Sequence, residues 1–442
     1  MASRLRFSLA VCVFSAALSA AGAVHAAAAA PATQPSCTNS AGVVATNDES
    51  DDGFGTSVAI SGQTAMVGIP LFDTALIDPP VPPPFISGRV AVFTCDATTQ
   101  AWTRTGTIQV TPAEASSENA FGTSVALQGD LAVVGASDVV YVYKRKGQNW
   151  NQVLKIAPKN SDTGIIGTPA EEWGPITALS DDVLALGVTE ITSTLGAGGI
   201  GFQTSTSYFV DLYQIITLGD HGVAIRIARL KPPAGDTGVF GASLALEGDT
   251  LVVGDPPDTT AYVYKRRGLT FALDQKLTGA EATASSRFGA AVALSKDVIL
   301  VGAPDENTVL TNSVVTSGGA MYAFRHESGP ESPWVETQHF NPATLGVSGY
   351  ADFGGTVAVN QNGQAVIGTP GAIVFETGSE FGPTFLYTLQ GGQFVLTTTV
   401  GTGAPVTAMG ITDEYLITGS TFEEFDFQVS GAGIKNLSSL TN

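Results

Sequence analysis

The stretch Phe121-Gly-Thr-Ser-Val-Ala-Leu-Gln-Gly-Asp-Leu-Ala-Val-Val-Gly135 decides the fold. Two apolar runs, Ser124 to Leu127 and Leu131 to Val134, flank Gln128-Gly-Asp, which reads as a tight hairpin turn. Val139 to Tyr143 and Asn151 to Ile156 then flank Lys144 to Trp150, so one unit holds four short strands. The opening phrase returns at Phe54, Phe240, Phe288 and Phe353, and in altered form at Trp173. Each aromatic is followed 14 residues later (15 after Phe353) by a glycine: Gly68, Gly135, Gly187, Gly254, Gly302 and Gly368. The same offset counted back from Gly419 gives a degenerate seventh start at Pro405.

Unit starts at 54, 121, 173, 240, 288, 353 and 405 lie 48 to 67 residues apart, room for four short strands each. A helical period is absent outside the N-terminal segment. Four-stranded units that cannot bury both faces alone must stack, and seven of them stack radially. The expected fold is all-β: a seven-bladed β-propeller of four-stranded antiparallel blades over 38–430, followed by a C-terminal tail at 431–442. The last unit lacks a convincing fourth strand, and Gly42-Val-Val-Ala-Thr46 is expected to complete that blade, closing the ring with strands from both chain ends.

The N-terminus carries Arg4 and Arg6, an apolar run from Phe7 to about Ala20 and small residues around Ala26, the pattern of a secretory signal over 1–26 with a linker at 27–37. That run is too short to span a bilayer, and no later one is apolar enough. The expected destination is therefore secreted or periplasmic, with no membrane span. Removing Arg4 and Arg6 takes the net charge from -20 to -22. So acidic a chain argues against nucleic acid, whose binding needs Lys and Arg to displace counterions. With Cys12 lost in the signal, Cys37 and Cys95 remain. An even pair in an oxidising compartment points to one disulfide rather than two free thiols. Both cysteines fall on one face of adjacent blades, where a bond would fasten the closure.

Phe-Gly followed by an alternating strand and then Val301-Gly-Ala-Pro304 resembles the FG-GAP repeat of the integrin α-subunit propeller, and more closely that of secreted bacterial proteins. The variants Val67-Gly-Ile-Pro70, Val134-Gly-Ala-Ser137, Val253-Gly-Asp-Pro256 and Ile367-Gly-Thr-Pro370 fit the same pattern. The resemblance covers nearly all of 38–430. It implies a propeller that binds protein ligands in adhesion, and no catalytic residue. It would also imply calcium cages in the turns between first and second strands, but turns such as Ser61-Gly-Gln63 and Glu247-Gly-Asp249 are too short to form one. No cofactor is therefore expected. Asp48, Ser50 and Asp52 place oxygens at alternate positions before Gly53, a weak metal candidate set against a solvated acidic linker.

Gly196-Ala-Gly-Gly-Ile-Gly201 matches a dinucleotide fingerprint only literally, since strand rather than helix follows it. The basic runs Lys144-Arg-Lys146 and Lys265-Arg-Arg267 read as solvated hairpin tips. Units one, three and five are longer than the others, and their extra length is expected between second and third strands, in loops projecting from one face. The first loop carries Phe72, Asp73, Asp78 and Phe85, the second Glu190, and the third Asp305, Glu306 and Asn307. These are the candidate ligand residues, against the alternative of variable solvated insertions. The expected function is recognition of an extracellular protein or glycan by a monomeric scaffold. The competing reading is a polysaccharide-active enzyme with convergent carboxylates in the central funnel.

Overall fold

The computed structural model of the protein describes residues 37, 53–70, 88–96, 98–111, 120–136, 139–157, 170–195, 202–310, 313–315, 318–341, 352–370, 372–375, 378–400, 406–424 and 427–440. Apart from two single-turn 3-10 helices, Pro256–Asp258 and Leu437–Ser439, the described elements are β-strands. They form seven antiparallel blades in a propeller ring, at 58–109, 124–156, 170–230, 243–277, 291–340, 356–400 and 408–436. Blades 1 to 6 are four-stranded meanders whose strand order follows the chain. The first strand of each blade contacts that of the next, and Ala408–Ile411 of blade 7 returns to Val58–Ser61 of blade 1.

The repeated phrase builds the contact between blades. Phe54, Phe121, Phe240, Phe288 and Phe353 are fully buried. Phe121 packs edge-on against Tyr141 and Tyr143 of its own blade and joins Val90, Val92 and Ile108 of the blade before it. The following glycine sits against the second-strand glycine of the preceding blade. A Cβ on Gly302 would lie 2.0 Å from the Gly354 carbonyl oxygen, and Gly354 itself has φ +87°, so neither tolerates a side chain. Serine three residues after the aromatic adds a hydroxyl bond across the seam: Ser57 Oγ to the Gly122 carbonyl and Ser243 Oγ to the Gly289 carbonyl, both 2.8 Å.

In each of the first six blades the register between third and fourth strands shifts once, as between Val142 and Tyr143, or Val263 and Tyr264. Such a bulge sharpens the twist of the outer strands.

Alternation of strand direction gives the ring two faces. The turns between first and second strands lie on one, and the connections between second and third strands and between blades lie on the other. On the turn face, neighbouring blades are stitched together. Ser61 Oγ accepts from the Gly129 amide, Gln128 Oε1 from the Asp181 amide, Ser180 Oγ from the Gly248 amide and Glu247 Oε2 from the Lys296 amide, at 2.6–3.0 Å. The expected solvated tips take part: Arg145 reaches Asp130 and, on blade 1, Thr64, while Arg266 reaches Gln214 of blade 3.

The ring seam lies between blades 7 and 1. Cys37 is bonded to Cys95, with Cα atoms 5.9 Å apart. Its backbone amide donates to the Tyr415 hydroxyl at 2.6 Å, and its carbonyl accepts from Asn436 Nδ2 at 3.3 Å. The disulfide expected from the sequence is present and joins blade 1 to residue 37, docked on blade 7. The strand expected at 42–46, like Asp48, Ser50 and Asp52, lies outside the described residues. The third strand of blade 7 runs Phe427–Asn436, beyond the expected boundary at 430, because Ala432 and Ile434 continue its buried alternation.

Candidate functional site

Long two-stranded projections characterise the face opposite the stitched turns. In blade 3, Val183–Leu195 and Phe202–Leu218 stay paired to Leu195 and Phe202. Blade 5 adds a ribbon of Thr308–Leu310 with Ser313–Val315, and blade 7 pairs its second and third strands out to Glu424 and Phe427. Blade 6 also carries a ribbon, Ala372–Phe375 with Gly378–Phe381, although its unit is one of the short ones. Unit length sums all the connections of a blade. The long linker of blade 5 and the short one of blade 6 therefore hid their similar second-to-third connections. The loop of blade 1 with Phe72, Asp73, Asp78 and Phe85 lies outside the described residues, as does the 196–201 glycine stretch.

Of the remaining candidates, Asp305, Glu306 and Asn307 stand together at the root of the blade 5 ribbon. Glu306 turns inward and is buried: its Oε2 accepts the Tyr322 hydroxyl at 2.6 Å and its Oε1 meets His339 Nε2 at 2.8 Å. Tyr322 and His339 stack at 4.5 Å, and Glu281 approaches the other ring nitrogen at 3.5 Å. Burial opposes charge on His339. The Glu306 bond, with Glu281 and Glu336 nearby, outweighs it and raises the imidazole above its ordinary value. Burial and the Glu306 bond also push the Tyr322 hydroxyl well up. Asp305 faces outward and lies 3.6 Å from Arg287.

Glu190 sits apart, in blade 3, 3.7 Å from Arg229. Arg229 also forks onto fully buried Asp211, at 2.7 Å to each oxygen, and Arg226 reaches the same carboxylate at 3.1 Å. Two guanidinium groups on one buried carboxylate fix the base of that projection.

A third charged cluster escaped the sequence reading. Asp255, at the end of the second strand of blade 4, is fully buried, and neither oxygen meets a donor at full hydrogen-bond geometry. Gly238 packs directly on it. Burial first, then the Asp258 charge, push its carboxyl up to about 6; the Val239 amide pulls it down, the Asp236 charge adds to the rise and Lys276 opposes it least. Asp236 is held by the Tyr262 hydroxyl and by Lys276 at 3.5 Å. Asp258 Oδ2 accepts the Thr237 and Gly238 amides at 2.7 and 2.9 Å. The only sequence signal was Asp255 itself, standing where Val301-Gly-Ala-Pro304 carries alanine.

The axis of the ring is different in kind. A cavity of roughly 330 Å³ is lined by the seven first strands, with Ser57, Ser124, Thr177, Ser243, Ala291, Thr356 and Thr407 among the contacts. Among the described residues its lining is hydroxyl, alanine and other apolar groups. Asp211, Asp255 and Glu306 thus lie away from the axis, at the feet of peripheral connections, and none of them lines this cavity.

The FG-GAP repeat family profile matches residues 102–148 and 271–324. No curated protein matches the sequence. Among solved structures the chain is similar to a 6-phosphogluconolactonase candidate from Bacteroides uniformis, at 10% identity over 78% of this chain and 85% of that one, with a TM-score of 0.47. It is also similar to the WD40 domain of Toxoplasma gondii coronin, at 8% identity over 86% and 80%, with a TM-score of 0.41.

Proposed function

We propose, from the premise that this chain is an FG-GAP repeat β-propeller protein, that it is an exported, non-catalytic recognition scaffold. It binds an extracellular protein or glycan through the projections of one face. The observation that carries this reading is the division of labour between faces. One face is consumed by blade-to-blade bonds, while the other presents ribbons from blades 3, 5 and 6, those of blades 3 and 5 rooted on buried Asp211 and Glu306 respectively. A rigid base under projecting loops is the arrangement in which binding residues are commonly displayed. Phe72, Asp73, Asp78, Phe85, Glu190, Asp305 and Asn307 are the proposed contact residues, and Glu306 acts as the anchor beneath them. Export is supported by the N-terminal leader pattern and the Cys37–Cys95 bond, which belongs to an oxidising compartment.

The test is a glycan array together with affinity capture from culture medium, run on the full protein and on a variant with 71–87 and 308–315 replaced by short turns. The full protein should retain a defined glycan or protein, and the variant should lose it. Retention by the variant would remove this face as the ligand site. Turnover of a retained polysaccharide by the purified protein would restore the enzymatic reading.

A further inference from the structure

At two seams of the outer rim, between blades 4 and 5 and between blades 5 and 6, a glutamine side chain clamps the edge strand of the next blade. Gln275, two residues before buried Leu277 on the last strand of blade 4, donates from Nε2 to the Trp334 carbonyl at 2.7 Å. It also accepts the Trp334 amide on Oε1 at 2.8 Å. Gln338, two residues before Phe340 in blade 5, does the same to Phe394 of blade 6, at 3.0 and 2.6 Å. Each side chain thus satisfies both backbone groups of an aromatic on the exposed edge strand of the next blade.

Between blades 1 and 2 the equivalent aromatic is Trp150. It stands opposite Arg145, as Trp334 stands opposite His326 and Phe394 opposite Leu389, so its outward amide and carbonyl lie in the same register. The position equivalent to Gln275 and Gln338, two residues before buried Ile108, is Gly106. A pocket of roughly 260 Å³ occupies the place of the side chain, lined by Gly106, Thr107, Asn149, Trp150 and Asn151. A Cβ built on Gly106 meets nothing within 4 Å. The lining is neutral, and the Arg145 guanidinium lies 5.9 Å over the indole.

We propose that this groove is a receptor for a primary carboxamide, the glutamine side chain of a protein partner, which would repeat in trans the clamp made in cis by Gln275 and Gln338. The chemistry selects that group. A primary amide offers an N–H and a carbonyl side by side, matching one residue of a strand edge. A carboxylate lacks the donor, and a trans secondary amide, such as the acetamido group of a sugar, turns donor and acceptor to opposite sides. The site lies on the rim, so it stands whether or not the loop face binds.

The experiment follows the Trp150 backbone amide by NMR in the full mature protein. N-acetyl-glutamine methylamide, titrated into the millimolar range, should shift that resonance, while the glutamate analogue and N-acetylglucosamine should not. Gly106→Gln should shift it without ligand, abolish the response to the amide, and raise Tm by about 1–3 °C. Gly106→Ala, which removes the glycine without adding a clamp, should leave the response intact and give less than half that rise. The proposal is overturned if the glutamine amide leaves wild-type Trp150 unmoved, or if it moves wild type and Gly106→Gln alike. It is equally overturned if the glutamate or sugar probe acts as well as the amide, or if Gly106→Ala matches the Tm gain of Gly106→Gln.

Discussion

On the turn face, blades exchange backbone and side-chain hydrogen bonds with their neighbours; on the loop face, charged groups are buried within or between single pairs of blades. Ser61, Gln128, Ser180 and Glu247 each hold an amide of the next blade. Asp211 instead holds two arginines and Glu306 a tyrosine and a histidine close to their own strands, while Asp255 is buried beside Asp236 and Asp258. The first pattern consists of many weak exposed bonds that act in series around the ring. The second consists of a few buried ones at the feet of individual projections. One face closes the ring, and the other sets the posture of what stands on it.

The most severe way to break both faces at once is Gly302→Ala. Its new Cβ meets backbone that cannot move without separating blades 5 and 6, so a loss above about 4 kcal/mol is expected, read as collapse of soluble yield or of the denaturation midpoint. Gly129→Ala, at a turn with φ +55° and open space around the site, should cost only about 1 kcal/mol. Equal losses would show that the close approach between blades carries no special weight.

Next in size is the seam. Cys95→Ser should lower stability by about 2–4 kcal/mol, and reductant should do the same to the wild type but nothing to the variant. Intact stability in the variant would mean that the Tyr415 and Asn436 contacts alone hold residue 37.

Asp255 tests the loop face by pH. Its folded value of about 6 exceeds the ordinary 3.8, so the folded protein binds an extra proton between these values. This stabilisation is present at the acid end and is lost as pH rises through about 6, by on the order of 2–3 kcal/mol. His339 tilts the profile the same way: its raised value favours folding below 6.5, and that contribution fades as pH climbs through the higher folded value. Asp255→Asn should flatten the profile between about pH 4 and 6 and leave the His339 part in place. An unchanged slope would mean that Asp255 titrates normally. The smallest effect belongs to Gln128→Ala, which breaks one exposed stitch to Asp181 and should cost about 0.5–1 kcal/mol in chemical denaturation.

The fold was legible because its determinants recur. Phe54, Phe121, Phe240, Phe288 and Phe353 repeat with the glycine that lets blades approach, and repetition separates such residues from background. The site was less legible because its partners meet only across strands. Glu306 and Asn307 look alike in sequence, yet one is buried under Tyr322 and His339 and the other faces outward. Asp255 resembles any acid in a turn until Asp236 and Gly238, from another connection, are brought against it. Gln275 and Gln338 read as ordinary strand residues, because the edge they clamp belongs to the next blade.

The Cys37–Cys95 bond has a consequence in time as well as space. Tyr415 and Asn436, which receive residue 37, are the last parts of the ring to leave the ribosome, whereas both cysteines belong to the first hundred residues. Oxidation can therefore fix residue 37 against blade 1 without any part of blade 7 being in place. A chain growing from its N-terminus would then carry the docking point for its final blade from the outset, and the last event of folding becomes the arrival of blade 7 at a latch already set.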